Sequence, residues 1–109
     1  MHEKWDDNLA ILSGDALHVM ACEALLDAPA KALPSLLRMY HRTALEVCEG
    51  QEQDMAFETR DTVALEEYME MIRLKTSVLL AAALDMGGGS AGADEATREA
   101  LYELSLIHI

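Results

Sequence analysis

Ile72-Arg73-Leu74-Lys75-Thr76-Ser77-Val78-Leu79-Leu80 places a lysine and a threonine inside a strongly apolar run. At about 100° per residue, the segment 65–86 projects as a two-sided helix, with Glu66, Glu70, Arg73 and Ser77 on one side and Leu65, Tyr68, Ile72 and Leu79 on the other. Lys75 and Thr76 fall on the apolar side. A buried ammonium must pair, reach water or lose its proton, because an isolated charge in low dielectric is costly. We therefore expect an anionic partner for Lys75.

Four helices are predicted from the apolar periodicity and from the residues that end each pattern. They cover 8–28, ended by Pro29; 33–58, with Pro34 in the first turn; 64–86, stopped by Gly87-Gly88-Gly89; and a segment after Ala93 that begins with Asp94 and Glu95. No strand pattern competes with them. The sequence predicts an all-α chain of about four antiparallel helices.

Charge and composition exclude several classes of partner. The chain has 109 residues, enough for one domain, and a formal net charge of −12 from 20 acidic and 8 basic residues. This charge disfavours binding to nucleic acid or to an anionic membrane. No apolar run approaches the ~20 residues of a membrane span, and the residues 1–7 resemble neither a signal nor a transit peptide. We expect a cytoplasmic protein without a membrane span.

The cysteines favour a structural role over a metal site. Cys22 and Cys48 lie in helical patterns with apolar neighbours, which is typical of buried free thiols. His18 and Cys22 have the i, i+4 spacing of zinc ligands, but the sequence offers no second ligand pair. We do not expect a zinc site.

The apolar stripe of the second helix turns polar toward its end. Continued at helical spacing, the stripe reaches Gln51, Asp54 and Glu58. Gly50 lies mid-helix, where glycine costs about 1 kcal/mol relative to alanine, and this suggests close approach of another element. If the second and third helices pack together, Gln51 and Asp54 could line one cavity end with Lys75 and Thr76. Alternatively, the second helix leaves the core near Gly50 and this face is simply wet.

Three short motifs carry a resemblance to a known family. They are Ala10-Ile11-Leu12-Ser13-Gly14-Asp15-Ala16-Leu17, Gly50-Gln51-Glu52-Gln53-Asp54, and Tyr68 to Ile72 followed by Lys75-Thr76. Their order and spacing resemble the A-I-L-x-G-D-A-L, G-Q-x-x-D and K-T segments of the trans-prenyltransferases, the polyprenyl diphosphate synthases. The resemblance covers Met1 to about Glu103.

The resemblance implies part of an isoprenoid-synthase-type helical bundle and a magnesium-dependent prenyl transfer. In such enzymes Mg²⁺ activates an allylic diphosphate, and isopentenyl diphosphate attacks the allylic cation. Carried over, Lys75 would contact the allylic diphosphate with Thr76 beside it, and Gln51 and Asp54 would line the site. Family members are commonly dimers through helices of this region, so a homodimer is expected for the parent protein.

The chain departs from the family pattern in its metal ligands. Both aspartate-rich D-D-x-x-D motifs are missing, since Asp6-Asp7 is followed by Ala10 and Ile11. The segment His2-Glu3-Lys4-Trp5 resembles the one that follows the first motif, and the second motif should lie beyond Glu103. We therefore expect residues 1–103 to be an internal fragment of a synthase catalytic domain, inactive by itself.

The last six residues, 104–109, abruptly lose the helical pattern. They match the translation of CTG TCT CTT ATA CAC ATC, a transposase mosaic-end adapter of sequencing libraries. We interpret 104–109 as adapter-derived.

Two other classes are compatible with parts of the sequence. One is a stand-alone acidic helical module whose apolar first helix docks a partner protein. The other is a fragment of a terpene cyclase, which the combination of K-T and G-Q-x-x-D disfavours. The first helix is apolar around most of its circumference, so it needs more neighbours than three other helices supply. We therefore expect it to expose apolar surface.

Overall fold

The computed structural model describes residues 6–107 and is all-α over that range. The helices are α1, Asp7–Ala24, extended by a 3₁₀ turn at Leu25–Asp27; α2, Leu33–Phe57; α3, 65–90; and α4, Glu95–Ile107. Helix α3 has three consecutive segments: an α-helix Leu65–Ile72, a π-helical turn Arg73–Ser77 and an α-helix Val78–Ser90. The prediction of an all-α chain with about four helices is confirmed. Helix α4 runs further than the sequence pattern suggested, because it continues past 104.

Successive helices run antiparallel. Contacts that pair rising with falling residue numbers show this for α2 and α3, where Ser35 and Asp85 share Arg98 and Gly50 meets Lys75. For α3 and α4, Asp85 bonds Arg98, whereas Ser77 lines a pocket with Leu106. Helices α2, α3 and α4 share the small core, whose buried apolar members are Leu36, Met71, Leu74, Val78, Ala81 and Ala82. The described chain measures 46 × 35 × 19 Å. Its thickness is about two helix diameters, so the core is one layer deep.

Helices α2 and α3 meet backbone to backbone at Gly50. A Cβ added there would lie 2.5 Å from the amide nitrogen of Lys75 and 2.8 Å from its Cα. Any side chain at this position would force the helices apart, so glycine is required by space rather than by its dihedral freedom. The expected close approach of another element at Gly50 is confirmed.

Helix α3 contains a π-helical turn, and the residues buried around it differ from the predicted face. Within it the N–H of Val78 bonds the carbonyl of Arg73, five residues back, so the turn holds one residue more than an α-helical turn. The buried residues are Met71, Leu74, Ser77 and Val78, whereas the side chain of Lys75 is 40% exposed. The predictions that Lys75 lies on the buried face and Ser77 on the polar one are wrong. The buried positions keep helical spacing through the turn, from Leu74 to Val78 and Ala81. The projection took the side with the larger apolar residues as the buried one, whereas Leu65, Tyr68 and Leu79 are exposed.

The glycine run does not end the third helix, as the sequence had suggested, because α3 continues to Ser90. A Cβ at Gly88 would lie 2.9 Å from Leu101 Cδ1, and one at Gly89 would lie 2.8 Å from Arg98 Cζ. These glycines make room for α4. The chain turns at Gly92, whose φ of 88° favours glycine.

Helix α1 lies against the bundle with none of its residues buried. Its exposed apolar side chains are Leu9, Ile11, Leu12, Leu17, Val19 and Met20. The expected apolar exposure of the first helix is confirmed. With the 3₁₀ turn, the helical segment Asp7–Asp27 contains an 18-residue window of mean hydropathy 1.5 and is long and apolar enough to cross a membrane. This differs from the sequence-based expectation, although core helices of soluble proteins meet the same criterion.

Both cysteines are free thiols, as the sequence predicted. Their expected burial is wrong, since Cys22 is half-buried and Cys48 is exposed. The physical reason is the thin core, which leaves the apolar neighbours of both residues at the surface as well.

The Gly50 contact predicts a large stability difference between two glycine substitutions. Gly50→Ala should lower the free energy of unfolding by about 1–3 kcal/mol, the usual cost of overpacking. Gly87→Ala is the matched control, because a Cβ there meets no atom within 4 Å, and it should be neutral or stabilising. Urea unfolding of both variants checks this. Equal stabilities would contradict the assigned helix crossing.

Asp94 predicts a pH dependence at the start of α4. Its Oδ1 accepts the N–H of Thr97 at 2.7 Å, and this hydrogen bond holds the pKa of Asp94 below its usual 3.8. A depressed pKa stabilises the fold above pH ~4 and loses that effect as pH falls through the folded-state pKa. Asp94→Ala should therefore be less stable than the wild type at pH 7, and the difference should shrink toward pH 3. A constant difference in urea unfolding across this range would contradict the cap.

Candidate functional site

Lys75 and Asp54 form an ion pair across the helix crossing. The ammonium Nζ lies 2.5 Å from Asp54 Oδ2, joining the π-helical turn of α3 to the segment of α2 just past Gly50. The two side chains are 40% and 35% exposed, so the pair is reached by solvent. The expectation that Lys75 has an anionic partner is confirmed. In this structure the partner is a carboxylate of the chain itself.

Gln51 and Thr76, the other two predicted site residues, are near the pair in sequence but exposed. Among the described residues, neither side chain makes a hydrogen bond within the chain. The structure thus brings Lys75 and Asp54 into contact and leaves an amide and a hydroxyl free beside them. Their role in binding stays a prediction.

An apolar groove continues from the ion pair along α2 and α3. It has a volume of about 700 Å³ and is lined by His18, Tyr40, Thr43, Ala44, Val47, Cys48, Leu79, Ala82, Ala83 and Met86. Val47 precedes Gln51 by four residues and Leu79 follows Lys75 by four, so the groove begins about one helical turn from the charges. Small side chains at Ala44, Ala82 and Ala83 leave its middle open.

The groove has polar residues at the end away from the ion pair. The hydroxyl of Tyr40 lies 2.9 Å from His18 Nδ1 and donates to the His18 carbonyl at 3.2 Å. Burial, together with the nearby Cys22 thiol, raises the pKa of Tyr40. These contacts tie α1 to α2 at this end of the groove.

Arg73 also forms ion pairs near the helix crossing. Arg73 binds Glu70 through two hydrogen bonds of 2.8 Å and lies 3.9 Å from Glu46 on α2. The Arg73 guanidinium lowers the pKa of Glu70. Because Glu46 and Asp54 stand four residues before and after Gly50, the crossing is flanked by an ion pair on each side.

An ion pair between α3 and α4, which sequence reasoning missed, holds α4 in place. Arg98 Nε and Nη2 bond Asp85 at 2.9 and 3.2 Å, and Arg98 Nη1 donates to Ser35 Oγ at 2.6 Å. The Asp85 side chain is only 6% exposed and that of Arg98 16%. An aspartate inside the apolar run 78–86 was the signal, since a buried carboxylate requires a cation.

Within residues 6–107, no cluster of three or more histidine, cysteine or acidic side chains has the geometry to hold a metal ion. His18 Nδ1 is engaged by Tyr40, and Cys22 Sγ lies 3.9 Å from His41 Nε2. Asp54 is engaged by Lys75. These residues do not form a magnesium site by themselves.

Comparison with known proteins places this geometry in one family. The family model described as polyprenyl synthetase matches residues 1–107. The chain is 43% identical over 108 residues to a geranylfarnesyl diphosphate synthase of Natronomonas pharaonis, covering 97% of this chain and 32% of that protein. It is 43% identical over 106 residues to a geranylgeranyl diphosphate synthase of Methanosarcina mazei, covering 94% of this chain and 32% of that one. The chain belongs to the polyprenyl synthetase family, a family of prenyltransferases, and spans about a third of the length of these relatives.

Solved structures agree with this assignment. A crystal structure of a geranylgeranyl pyrophosphate synthase superposes with a TM-score of 0.92 at 48% identity, covering 97% of this chain and 32% of that one. A geranylgeranyl pyrophosphate synthetase from Geoglobus acetivorans gives a TM-score of 0.90 at 37% identity, over 96% of this chain and 35% of that one. The arrangement of α1 to α4 is therefore the one found in these synthases.

The buried ion pair yields a prediction about α4. Asp85→Asn should lower the free energy of unfolding by about 3 kcal/mol, because it leaves the Arg98 charge poorly compensated. Glu99→Gln, an exposed change of equal charge on α4, should change it by less than about 0.5 kcal/mol. Urea unfolding compares them. Two variants of equal stability would show that the Asp85 contact does not hold α4.

Proposed function

We propose that this chain is the part of an isoprenyl diphosphate synthase that receives the allylic diphosphate substrate. The observation that carries the proposal is the succession of a solvent-accessible ammonium and a long apolar groove on the same two helices. An allylic diphosphate has the same two parts, a polyanionic head and an apolar tail. With its head at Lys75 and its tail along the groove, the substrate would bring each of its two parts to the matching surface.

Lys75 would act on the leaving group. In the proposed reaction the allylic C–O bond breaks and inorganic diphosphate leaves with the bonding electron pair. The double bond of isopentenyl diphosphate attacks the resulting cation, and the cation so formed loses a proton, which the released diphosphate can accept, to give the new allylic double bond. Negative charge grows on the diphosphate as the bond breaks, so an ammonium beside it stabilises the transition state more than the bound substrate. Gln51, Asp54 and Thr76 would supply the polar surroundings of the head.

Magnesium enters the proposal through the rest of the synthase. The described residues do not form a magnesium site, so we place its ligands in parts of the full-length protein outside these 109 residues, with residues 1–103 as an internal segment and 104–109 as adapter-derived. Helix α4 extends to Ile107, and residues 1–5 and 108–109 lie outside the described range. When bound, Mg²⁺ would neutralise the diphosphate that Lys75 contacts.

The apolar exposure of α1 supports an assembly. We propose that the remaining synthase and a second copy of it cover this helix in a cytoplasmic homodimer. The same exposure is the one observation favouring the alternative function, a helical module that docks another protein. Sedimentation of the full-length protein separates them, since the module requires a foreign partner and the synthase does not.

A graft into a related enzyme tests the function directly. Residues 1–103 would replace the matched segment of the Methanosarcina mazei synthase, and the graft is expected to condense isopentenyl and allylic diphosphates. Lys75→Ala in the graft should lower kcat/KM for the allylic substrate by roughly ten- to a thousandfold, with little change in Tm. Lys31→Ala, at another exposed lysine, is the matched control and should leave both unchanged.

Two results would contradict this assignment. A Lys75→Met graft that is destabilised but fully active would make Lys75 a structural residue. Prenyl transfer by the purified 109-residue chain, for which we expect no detectable turnover, would contradict the placement of the metal ligands outside it.

A further inference from the structure

The ammonium of Lys75 has an anionic partner within the chain itself. Asp54 Oδ2 lies 2.5 Å from the ammonium that is to receive the diphosphate. We propose that Asp54 is a reversible counter-ion, which competes with the substrate's anionic head for Lys75. This inference rests on the proposed function and concerns the affinity of the same site.

The exposure of the pair allows the exchange. Both side chains are more than a third exposed, and solvent-exposed ion pairs of this kind contribute little to stability. A diphosphate carries more negative charge and more acceptor oxygens than one carboxylate, so it forms the stronger charge-assisted hydrogen bonds to an ammonium. A carboxylate or another monoanion has no such advantage over Asp54.

The packing of α2 against α3 does not depend on the Lys75–Asp54 ion pair. Helices α2 and α3 are held there by the backbone contact of Gly50 with residues 74 and 75, and by the buried side chains of Leu74 and Val78. On the other side of Gly50, Arg73 stays near Glu46. Lys75 can therefore change partners while the groove keeps its walls.

Competition by Asp54 lowers the affinity of the site for every anion by the same factor, because each ligand must break the same ion pair. In a chain of net charge −12, the same carboxylate keeps the ammonium neutralised between turnovers. The expected consequence is that removing the carboxylate tightens the binding of diphosphate.

The test is a calorimetric titration of the graft with inorganic diphosphate and, separately, inorganic phosphate in metal-free buffer. Asp54→Asn should bind diphosphate about two- to fivefold tighter, the range that corresponds to the worth of an exposed ion pair. The relative gain for inorganic phosphate should be of similar size, because both anions displace the same carboxylate. Glu52→Gln, an equal charge change on α2 outside the pair, should bind like the unsubstituted graft.

The Lys75→Met variant completes a double-mutant cycle. In the Lys75→Met background, Asp54→Asn should not tighten the binding of diphosphate, because the competition acts only through the ammonium. Unchanged or weaker diphosphate binding by Asp54→Asn, or a gain that persists in the Lys75→Met background, would overturn the proposal. An unsubstituted graft without prenyl transfer would instead count against the proposed function.

A second measurement distinguishes failure of the Asp54 competition from failure of the proposed function. In the 109-residue chain, the ammonium resonance of Lys75 can be followed by NMR during the same titration, without any catalytic activity. Diphosphate should shift this resonance at lower concentration in Asp54→Asn than in the unsubstituted chain. If the resonance shifts at the same diphosphate concentration in both chains, the proposed competition is wrong, whether or not the graft is active.

Discussion

The contact between Gly50 and the backbone of the π-helical turn is the constraint on which the rest of the arrangement depends. With no side chain between them, α2 and α3 approach until the amide of Lys75 lies where a Cβ would otherwise be. This closeness brings the side chains that flank the contact within reach of each other. The Lys75–Asp54 pair is thus a consequence of the missing Cβ, and so is the course of the groove that follows it.

The groove and the ion pair are two results of one helix packing. Past the crossing, the facing residues of α2 and α3 are small at Ala44, Ala82 and Ala83, so the helices leave an apolar space between them. Apolar binding sites gain specificity from a few polar groups at defined places. Here the charges lie at one end and the Tyr40–His18 contact at the other, and the apolar surface joins them.

Helices α1 and α4 differ in how they are attached. Arg98 bonds Asp85 and Ser35, so one buried guanidinium ties α4 to both α3 and α2. Helix α1 contributes no buried residue and reaches α2 through contacts such as Tyr40–His18. A chain that matches about a third of its relatives' length is expected to expose surface that the remainder of a synthase covers. The apolar face of α1 fits that description.

The sequence by itself determined the helical class, most helix starts and ends, the family and the special status of Gly50 and Lys75. Periodicity, Pro29, Pro34 and the short motifs are local features, and local features are what a sequence shows directly. It also indicated that α1 would lack neighbours, because its apolar residues surround the helix.

Only the tertiary structure decided which face of α3 is buried, where that helix ends and which anion meets Lys75. Helix α3 has apolar residues on two sides, so its own periodicity does not show which side packs against α2 and α4. Asp54 meets Lys75 through a contact between helices, which periodicity along one helix cannot specify.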